Sequence, residues 1–214
     1  VDAGEGGGRL DPLRLAAVLR LIAANQSGEL VKAPIAQEAA LSAASVTGYL
    51  DALDRLYLTE DLHPWAVNLT AREIGRRKVR VGDSGLAAWL CGASVGLLKD
   101  VVRGGKVFGA LLEGFVVGEL SAQAGWAEVD YRLYHYRDRR GLEVDVIIEL
   151  GDGRVIAVEV KSAAGLTGRH FAGLTDLKRK LGDRLAAGVV LAPVDEPMRY
   201  AEGLWGLPLN TLWE

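Results

Sequence analysis

Residues 141–163, GLEVDVIIELGDGRVIAVEVKSA, constrain the fold more than any other stretch of the chain. Two runs rich in valine and isoleucine flank a short Gly-Asp-Gly segment, and this pattern predicts a β-hairpin with a three-residue loop. If residues 151–153 form the loop, Leu150 lies opposite Arg154. Every other pairing in the hairpin then follows by counting outward from the loop.

This register divides the side chains between two faces, because successive residues of a strand point to opposite sides. One face is almost wholly apolar and is expected to lie on the core, with Val144, Val146, Ile148, Leu150, Ile156, Val158 and Val160. The other face places Asp145 opposite Glu159, and Glu143 opposite Lys161. Cβ atoms of opposed residues are ~5 Å apart, and like charges at that distance destabilise the pair.

The opposed carboxylates admit two interpretations. Two carboxylates this close need a proton or a cation between them, and Mg²⁺ favours oxygen ligands of this kind. Alternatively, this is a polar sheet face on which water and salt relieve the repulsion. A longer turn would also shift the register by one residue and undo the pairing. On spacing alone these alternatives stay open.

The segments around the hairpin predict a mixed α/β domain. A long apolar helix, KVFGALLEGFVVGELSAQAGW, begins at Lys106 and contains Glu113. The strand YRLYHYRD follows, and after the hairpin come the amphipathic helix RHFAGLTDLKRKLG and the apolar strand AAGVVLAP, which Pro193 ends. The segment LPLNTLW is expected to be a last strand. Helices alternating with strands in this order favour a mixed sheet.

The N-terminal half reads as a helical winged-helix domain. Asp11 followed by Pro12 predicts a helix start, and Gly28 is expected to end that helix. APIAQEAAL is a second helix, and Ser42 caps a third. The stripe on this third helix comprises Val46, Leu50, Leu53 and Leu56. Three helices with a tight turn resemble a helix-turn-helix, and the segments YLTEDLHPW and RKVRVGD are expected to form the two strands of a wing.

A basic stretch between the two expected wing strands is a candidate contact for DNA phosphates. It contains Arg72, Arg76, Arg77, Lys78 and Arg80. The start of the third helix, where base-reading residues usually lie, has no Arg, Lys, Asn or Gln. An interaction or spacer domain therefore remains the alternative. Residues 85–98 are apolar and are either core or a docking surface for a missing domain.

Composition excludes several other classes of site. The 214 residues carry a net charge of −3, so no strong field indicates nucleic acid or a membrane. A single cysteine, Cys91, excludes an intramolecular disulfide and a cysteine-rich zinc site. No P-loop for ATP is present, and no apolar run is long enough to span a membrane. A cytoplasmic location is expected. The chain begins at Val1 with a glycine-rich segment, which predicts a linker, residues 1–10, and a larger parent protein.

Asp145, the run Glu159-Val160-Lys161 across the hairpin, and the preceding helix with Glu113 resemble the PD-(D/E)XK nuclease superfamily over about residues 106–214. The stretches IAQEAALSAASVTGYLDALDRLYLTEDLHPW, RKVRVGDSGLAAWL and GALLEGFVVGEL are similar to the C-terminal region of DUF4143-family ATPases of bacteria and archaea. In that family an AAA-type ATPase domain precedes a winged helix and a nuclease-like domain. The resemblance implies a winged helix at residues 11–100 and a restriction-endonuclease-like domain at residues 101–214.

The resemblance also implies roles for individual residues. Asp145, Glu159 and the Val160 carbonyl would bind Mg²⁺ or Mn²⁺, and Lys161 would orient the attacking water and stabilise the phosphate charge. Glu113 would complete the site, with Glu119 as its competitor on the same helix. The residues expected near substrate are Arg140, Glu143, Lys178 and Lys180.

The resemblance implies partners as well. They would be DNA, the missing ATPase domain and a second copy of the chain. The alternative function is a catalytically silent DNA-binding or regulatory module of the ATPase. A toxin or defence system is one context in which such a module would act.

Overall fold

The computed structural model describes residues 10–66 and 75–213, and these form a mixed α/β structure. The N-terminal elements are α1 (Pro12–Ala24), β1 (Gly28–Glu29), α2 (Lys32–Glu38), α3 (Ala43–Arg55), β2 (Thr59–Leu62) and β3 (Lys78–Val81). Asp11 accepts a hydrogen bond from the Leu13 N–H, and Ser42 accepts one from the Ser45 N–H, so both predicted caps are confirmed.

The two strands expected to form a wing pair antiparallel, with Thr59 opposite Val81 and Leu62 opposite Lys78. They belong to a three-stranded sheet of order β1-β3-β2, whose two-residue strand β1 was too short to predict. The predicted stripe on α3 is buried except for Leu56. That side chain is exposed because α3 ends at Arg55. The first helix ends at Ala24, earlier than the predicted stop at Gly28.

The C-terminal elements are α4 (Ser84–Leu90), α5 (Val95–Lys99), α6 (Val101–Gln123), β4 (Tyr131–Arg137), β5 (Glu143–Leu150), β6 (Val155–Val160), α7 (Ala172–Leu181), β7 (Leu185–Ala192), β8 (Met198–Ala201) and β9 (Leu204–Pro208). Helix α6 begins before the predicted Lys106, because the Asp100 side chain accepts hydrogen bonds from two N–H groups of its first turn. None of the described helices is both long and apolar enough to cross a bilayer.

A six-stranded mixed sheet of order β4-β5-β6-β7-β9-β8 confirms the predicted class. Strands β4, β5 and β6 run antiparallel in sequence order, β6, β7 and β9 are mutually parallel, and β8 is antiparallel to β9. The prediction for the C-terminus was partly wrong. Only the beginning of LPLNTLW lies in β9, a 3₁₀ turn follows at Leu209–Leu212, and β8 was missed.

The hairpin has the predicted register, from Glu149 opposite Val155 to Val146 opposite Val158. The Leu150 N–H donates to the Arg154 carbonyl at 2.9 Å, which closes the three-residue loop. Gly153 has φ +82°, a conformation that favours glycine over residues with a Cβ. The loop therefore fixes which hairpin residues face one another.

Both faces of the hairpin carry buried residues, which argues against the alternative that the second face is a polar, solvated surface of the sheet. On one side Val146, Val158 and Val160 belong to a cluster with residues of α6. On the other side Ile147, Val155 and Ala157 pack in a cluster with Phe171 and Leu174. The parallel connection from β6 to β7 runs through α7, and a crossover helix covers the sheet face on which it lies.

A β-bulge in β5 interrupts the alternation of side chains. Tyr134 pairs with Ile147 and Tyr136 pairs with Val144, so the single residue His135 faces both Asp145 and Val146. Val144 consequently packs in the same cluster as Ile147, whereas Val146 packs in the cluster that contains α6 residues. Strict alternation had placed Val144 and Val146 on one face, and the extra residue of the bulge is the reason for the difference.

Helix α6 lies between the two halves of the chain. Its Leu111 belongs to the N-terminal hydrophobic cluster and its Leu112 to a cluster of the large sheet. Two glycines let the N-terminal part approach the helix backbone. A Cβ on Gly114 would lie 2.6 Å from Gln26 Nε2, and one on Gly118 would lie 3.2 Å from Arg80 Nη1. In the apolar stretch 85–98, Trp89 and Val95 are exposed.

We expect Gly104→Ala to destabilise the protein by about 1–3 kcal/mol, because the new methyl group would overlap the backbone carbonyl oxygen of Leu97. Gly105→Ala is the matched control. Among the described residues, nothing beyond its own neighbours and helix backbone lies within 4 Å of the added Cβ, and alanine favours helix over glycine by about 1 kcal/mol. Urea unfolding of both variants tests the packing of α5 on α6. Equal effects of the two substitutions would contradict it.

Candidate functional site

The amine of Lys78, on β3, lies among three carboxylates of the C-terminal half. Its Nζ is 2.8 Å from Glu113 Oε1, 3.0 Å from Glu143 Oε1 and 4.0 Å from Asp145 Oδ1. Only 4 % of Lys78 is exposed. One lysine from the small sheet therefore joins Glu113 of α6 with Asp145 and the partly exposed Glu143 of β5 into a single charged group, which we call the Lys78 cluster.

Three carboxylates surround the single buried amine of the Lys78 cluster, and the pKa values of Lys78 and Glu113 are both raised. Burial disfavours the charged form of Lys78, yet Glu113, Asp145 and Glu143 together raise its pKa. Burial, followed by repulsion from Asp145, raises the pKa of Glu113 to about 8 although Lys78 opposes the shift. The lysine therefore stays charged while the carboxylates compete for one compensating charge.

Glu159 and Lys161 form a second ion pair beside the first cluster. Lys161 Nζ is 2.5 Å from Glu159 Oε1, while the buried Glu159 Oε2 has no hydrogen-bond partner among the described residues. Burial, followed by repulsion from Asp145, raises the pKa of Glu159 to about 7. Asp145 lies next to both groups, since its Oδ2 accepts a hydrogen bond from the Val160 N–H at 2.8 Å.

The donor chemistry of these residues suits a hard divalent cation, but their present arrangement does not. Carboxylate oxygens are the ligands Mg²⁺ prefers, and Glu159 Oε2 is a buried acceptor with no partner in the described part of the chain. Glu113, Glu143, Asp145 and Glu159 share two amines, which leaves an excess of negative charge. Nevertheless, across residues 10–66 and 75–213 no group of three or more His, Cys, Asp or Glu could hold a metal ion.

The predicted basic stretch is largely engaged in ion pairs. Arg77 pairs with Asp61 at 2.8 Å, and the buried Arg80 pairs with Glu60. Lys78 was expected to contact phosphate and instead lies in its cluster, because β3 turns that side chain towards α6. Arg76 has a side chain 69 % exposed and can still reach a ligand. Arg72 lies outside the described residues.

The remaining predicted residues are spread over the surface. Arg140 is exposed and lies 3.7 Å from Asp138, and Lys180 also pairs with Asp138. Lys178 donates to the Glu202 carbonyl. Glu119 accepts a hydrogen bond from the Trp213 indole at 2.8 Å, so Glu113 is the residue of α6 that faces the cluster.

Two features of this region were not predicted from the sequence. Lys78 lies in a cluster of carboxylates, and His135 is buried. His135 Nε2 lies 3.0 Å from the Arg76 carbonyl oxygen, and its backbone is hydrogen bonded to His63 and Trp65. The alternation K-V-R-V places Lys78 and Arg80 on one face of β3, and all four residues of the strand are buried. The pattern does not say which carboxylates the lysine meets.

Two family profiles match parts of the chain. Residues 108–212 match the profile of DUF4143, described as a domain of unknown function. The C-terminal half is thus linked to the DUF4143 family. This DUF4143 region contains Glu113, Glu143, Asp145, Glu159 and Lys161, whereas Lys78 comes from outside it. Residues 1–96 match a second domain of unknown function, DUF8612.

Two curated relatives have no assigned function. Over 158 residues the chain is 30% identical to uncharacterized proteins of Mycobacterium bovis and Mycobacterium tuberculosis, covering 72% of this chain and 34% of each relative. The chain thus spans about a third of their length. A solved chain of a Thermococcus gammatolerans McrB AAA+ hexamer assembly with bound McrC is 12% identical, with 92% of this chain and 71% of that chain covered. Its TM-score of 0.36 is too low to support an inference.

Proposed function

We propose that the DUF4143 region is a PD-(D/E)XK-like domain that hydrolyses nucleic-acid phosphodiesters with Mg²⁺ or Mn²⁺, joined to an N-terminal winged helix. The observation that carries this proposal is the gathering of Asp145, Glu159 and Lys161 at one end of the hairpin, with Glu113 supplied by α6. Burial, followed by repulsion from Asp145, raises the pKa of Glu159 to about 7, and strongly shifted pKa values are common at functional sites.

Asp145, Glu159 and the Val160 carbonyl would hold the ion, which supplies Lewis-acid stabilisation of phosphate charge and a more acidic bound water. Lys161 would add positive charge next to the scissile phosphate. In the structure its amine is already directed by Glu159, so the side chain that would orient the attacking water is held in place. Glu113 would accept a proton or a hydrogen bond from that water.

Phosphate contact would use the exposed cations rather than the buried ones. Arg76 and Arg140 have side chains 69% and 72% exposed, whereas Lys78 and Arg80 are enclosed. An exposed arginine can bind two phosphate oxygens at once. DNA bound this way would be recognised through its backbone and not through its sequence, because α3 begins with small residues.

In Mg²⁺ or Mn²⁺, we expect Asp145→Asn and Lys161→Met each to lower the cleavage rate of plasmid or single-stranded DNA by about a hundredfold or more. The first removes a ligand charge and the second a charge beside the phosphate. Gel assays with purified protein measure the rate. Glu113→Gln should also reduce it.

Glu119→Gln is the matched control for Glu113→Gln, because Glu119 is on the same helix and is bonded to Trp213 away from the cluster. Equal losses in these two variants would argue against the assigned role of Glu113. If the wild type cuts no DNA or RNA in either metal, the hydrolase proposal fails.

A specific observation favours a second function, a catalytically silent regulatory module of a larger ATPase. The buried Lys78 supplies a positive charge to the carboxylates from within the protein, and the chain spans about a third of the length of its curated relatives. In this alternative the Lys78 cluster is a permanent structural link between the two halves. Folding stability would depend on it, and no divalent ion would compete with it.

A further inference from the structure

We propose that an exposed group of arginines, contributed by both halves of the chain, binds the phosphodiester backbone of a nucleic acid without a metal. We call this group the arginine surface, and its members are Arg76, Arg137, Arg139 and Arg140. The inference rests on the nucleic-acid substrate of the proposed function, but it requires neither the metal nor cleavage. It adds Arg137 and Arg139 to the expected contacts and gives all four arginines one location.

Two contacts hold Arg76, from the N-terminal half, against strand β4. Its carbonyl oxygen lies 3.0 Å from His135 Nε2, and its Nη1 lies 3.9 Å from Glu29 Oε2. The other carboxylate oxygen of Glu29 lies 3.3 Å from Arg137 Nη1, at the end of β4. One carboxylate is therefore shared by two guanidinium groups, one from each half of the chain, and this group of three keeps a positive charge.

The turn after β4 carries the other two arginines of the surface. Asp138 fixes this turn, because its Oδ1 accepts hydrogen bonds from the backbone N–H groups of Arg140 and Leu142 at 2.9 Å each. Arg139 and Arg140 are exposed, and Arg139 forms no ion pair with any other described residue. The turn therefore holds its backbone in place while its arginine side chains stay accessible to a ligand.

The arginine surface is positive although the whole chain carries a net charge of −3. Its four arginines meet two carboxylates, Glu29 and Asp138, which leaves at least two positive charges. The side chains of Arg76 and Arg140 are 69% and 72% exposed, against 20% and 15% for these two carboxylates. An approaching ligand therefore meets positive charge first. Two carboxylates at the margin are each paired with another cation, Glu143 with Lys78 and Asp61 with Arg77.

The chemistry of the arginine surface fits a phosphodiester backbone. A guanidinium group is a planar fork of donors that can bind two phosphate oxygens at once. A nucleic-acid backbone carries a regular row of single negative charges, so separate arginines can each bind one phosphate. A strand that contacts both Arg76 and Arg137 touches both halves of the chain. Contacts of this kind carry no sequence information, so the binding should not depend on base sequence.

Fluorescence anisotropy in EDTA tests the surface under conditions that prevent metal-dependent cleavage. Labelled single-stranded DNA, duplex DNA and single-stranded RNA of equal length are titrated with the protein at several salt concentrations. Arg137→Gln and Arg139→Gln should each weaken binding by about threefold or more for every base sequence. Each should also lower the slope of log affinity against log salt by about 0.7 for a single strand or about 0.9 for a duplex. Combining Arg76→Gln with Arg137→Gln removes one cation from each half and should weaken binding by about tenfold or more.

Arg132→Gln is the matched control for these variants. Arg132 is exposed on the same strand, β4, but lies five residues from Arg137, ~17 Å along the strand. Its substitution removes the same charge and should leave nucleic-acid binding as it is in the wild type. Circular dichroism establishes that each variant is folded. Arg139→Gln breaks no ion pair within the described part of the chain, so it tests the surface even if the other substitutions disturb the fold.

The outcomes separate this inference from the proposed hydrolase. Weaker binding by the arginine variants but not by Arg132→Gln supports the arginine surface even if no nucleic acid is cut in Mg²⁺ or Mn²⁺. A wild type that binds none of the three nucleic acids at low salt overturns it, and so do arginine variants that bind as tightly as Arg132→Gln. Cleavage by the wild type in either of those cases would leave the hydrolase proposal standing without it.

A competition experiment separates a nucleic acid from an acidic protein as the partner. Unlabelled nucleic acid should displace the labelled strand at a concentration at least about tenfold lower than a polyglutamate peptide of the same charge, because only the phosphate backbone matches the guanidinium groups in both charge and donor geometry. Equal displacement by polyglutamate would assign the surface to acidic protein partners and overturn the inference.

Discussion

Lys78→Met is expected to lower the free energy of unfolding by about 3–5 kcal/mol near pH 8. Removing one partner of a buried ion pair leaves the other without compensation. Here Glu113, Glu143 and Asp145 would all lose their shared cation. At pH 5 the loss should be smaller, because Glu113, whose pKa burial and Asp145 raise to about 8, is already protonated. Urea unfolding at both pH values measures the difference.

A double-mutant cycle separates the charge effect from lost packing. In a Glu113→Gln background, Lys78→Met should cost less, because one fewer carboxylate is left without a cation. Lys106→Met controls for removing a lysine charge and should change stability by no more than about 0.5 kcal/mol. A loss no greater than that of Lys106→Met would contradict the structural role of the cluster.

The hairpin was predictable because its information is local. The Gly-Asp-Gly loop fixes the register, and the two-residue period fixes the face of each side chain near the loop. The bulge at Asp145 and Val146 breaks this logic. It depends on how β4 pairs with β5 and on the His63–Trp65 segment bonded to His135, and neither pairing is encoded within the hairpin itself. The burial of Ile147 under the α7 side of the sheet likewise required the three-dimensional path of the chain.

The composition of the candidate site was predictable only in part. Residue type and spacing selected Asp145, Glu159 and Lys161, and the resemblance to a nuclease superfamily selected Glu113. Nothing local connects Lys78 to Glu113, because the two residues meet only when the small sheet packs on α6. Lys78, which the basic pattern assigned to a phosphate contact, is instead paired with carboxylates inside the protein. A charged residue in an alternating strand can bind a ligand outside the protein or form an ion pair within it.

As the pH falls from 6.5 to 4, we expect the titration of His135 to lower the free energy of unfolding by about 3 kcal/mol. Burial, followed by the charge of Lys78, lowers its pKa from 6.5 to about 4, although the Arg76 carbonyl, Glu29 and Glu143 favour the protonated form. The ring lies 3.0 Å from the Arg76 carbonyl through Nε2, and its buried Nδ1 has no partner among the described residues, so a second proton would have no acceptor.

The sign of the His135 effect follows from proton uptake. Between pH 6.5 and pH 4 the unfolded chain binds a proton at this histidine that the folded protein does not, so its full contribution to stability is present above pH 6.5 and is lost as the pH falls towards 4. Glu113 and Glu159 act in the opposite direction, because their raised pKa values make the folded protein bind the extra protons. The total pH profile therefore mixes both effects, and only a comparison of variants isolates the histidine.

His135→Gln provides that comparison, since a glutamine amide can still donate to the Arg76 carbonyl but does not titrate. From pH 6.5 to pH 4 we expect the unfolding free energy of His135→Gln to fall less steeply than that of the wild type. The difference in slope should correspond to the uptake of close to one proton. His63→Gln is the control, because it removes an exposed histidine from the segment bonded to the His135 backbone. If His135→Gln and wild type show the same slope in urea titrations at several pH values, His135 does not hold its neutral form in the folded protein. The bulge that turns Asp145 towards Lys78 would then tolerate an imidazolium beside it.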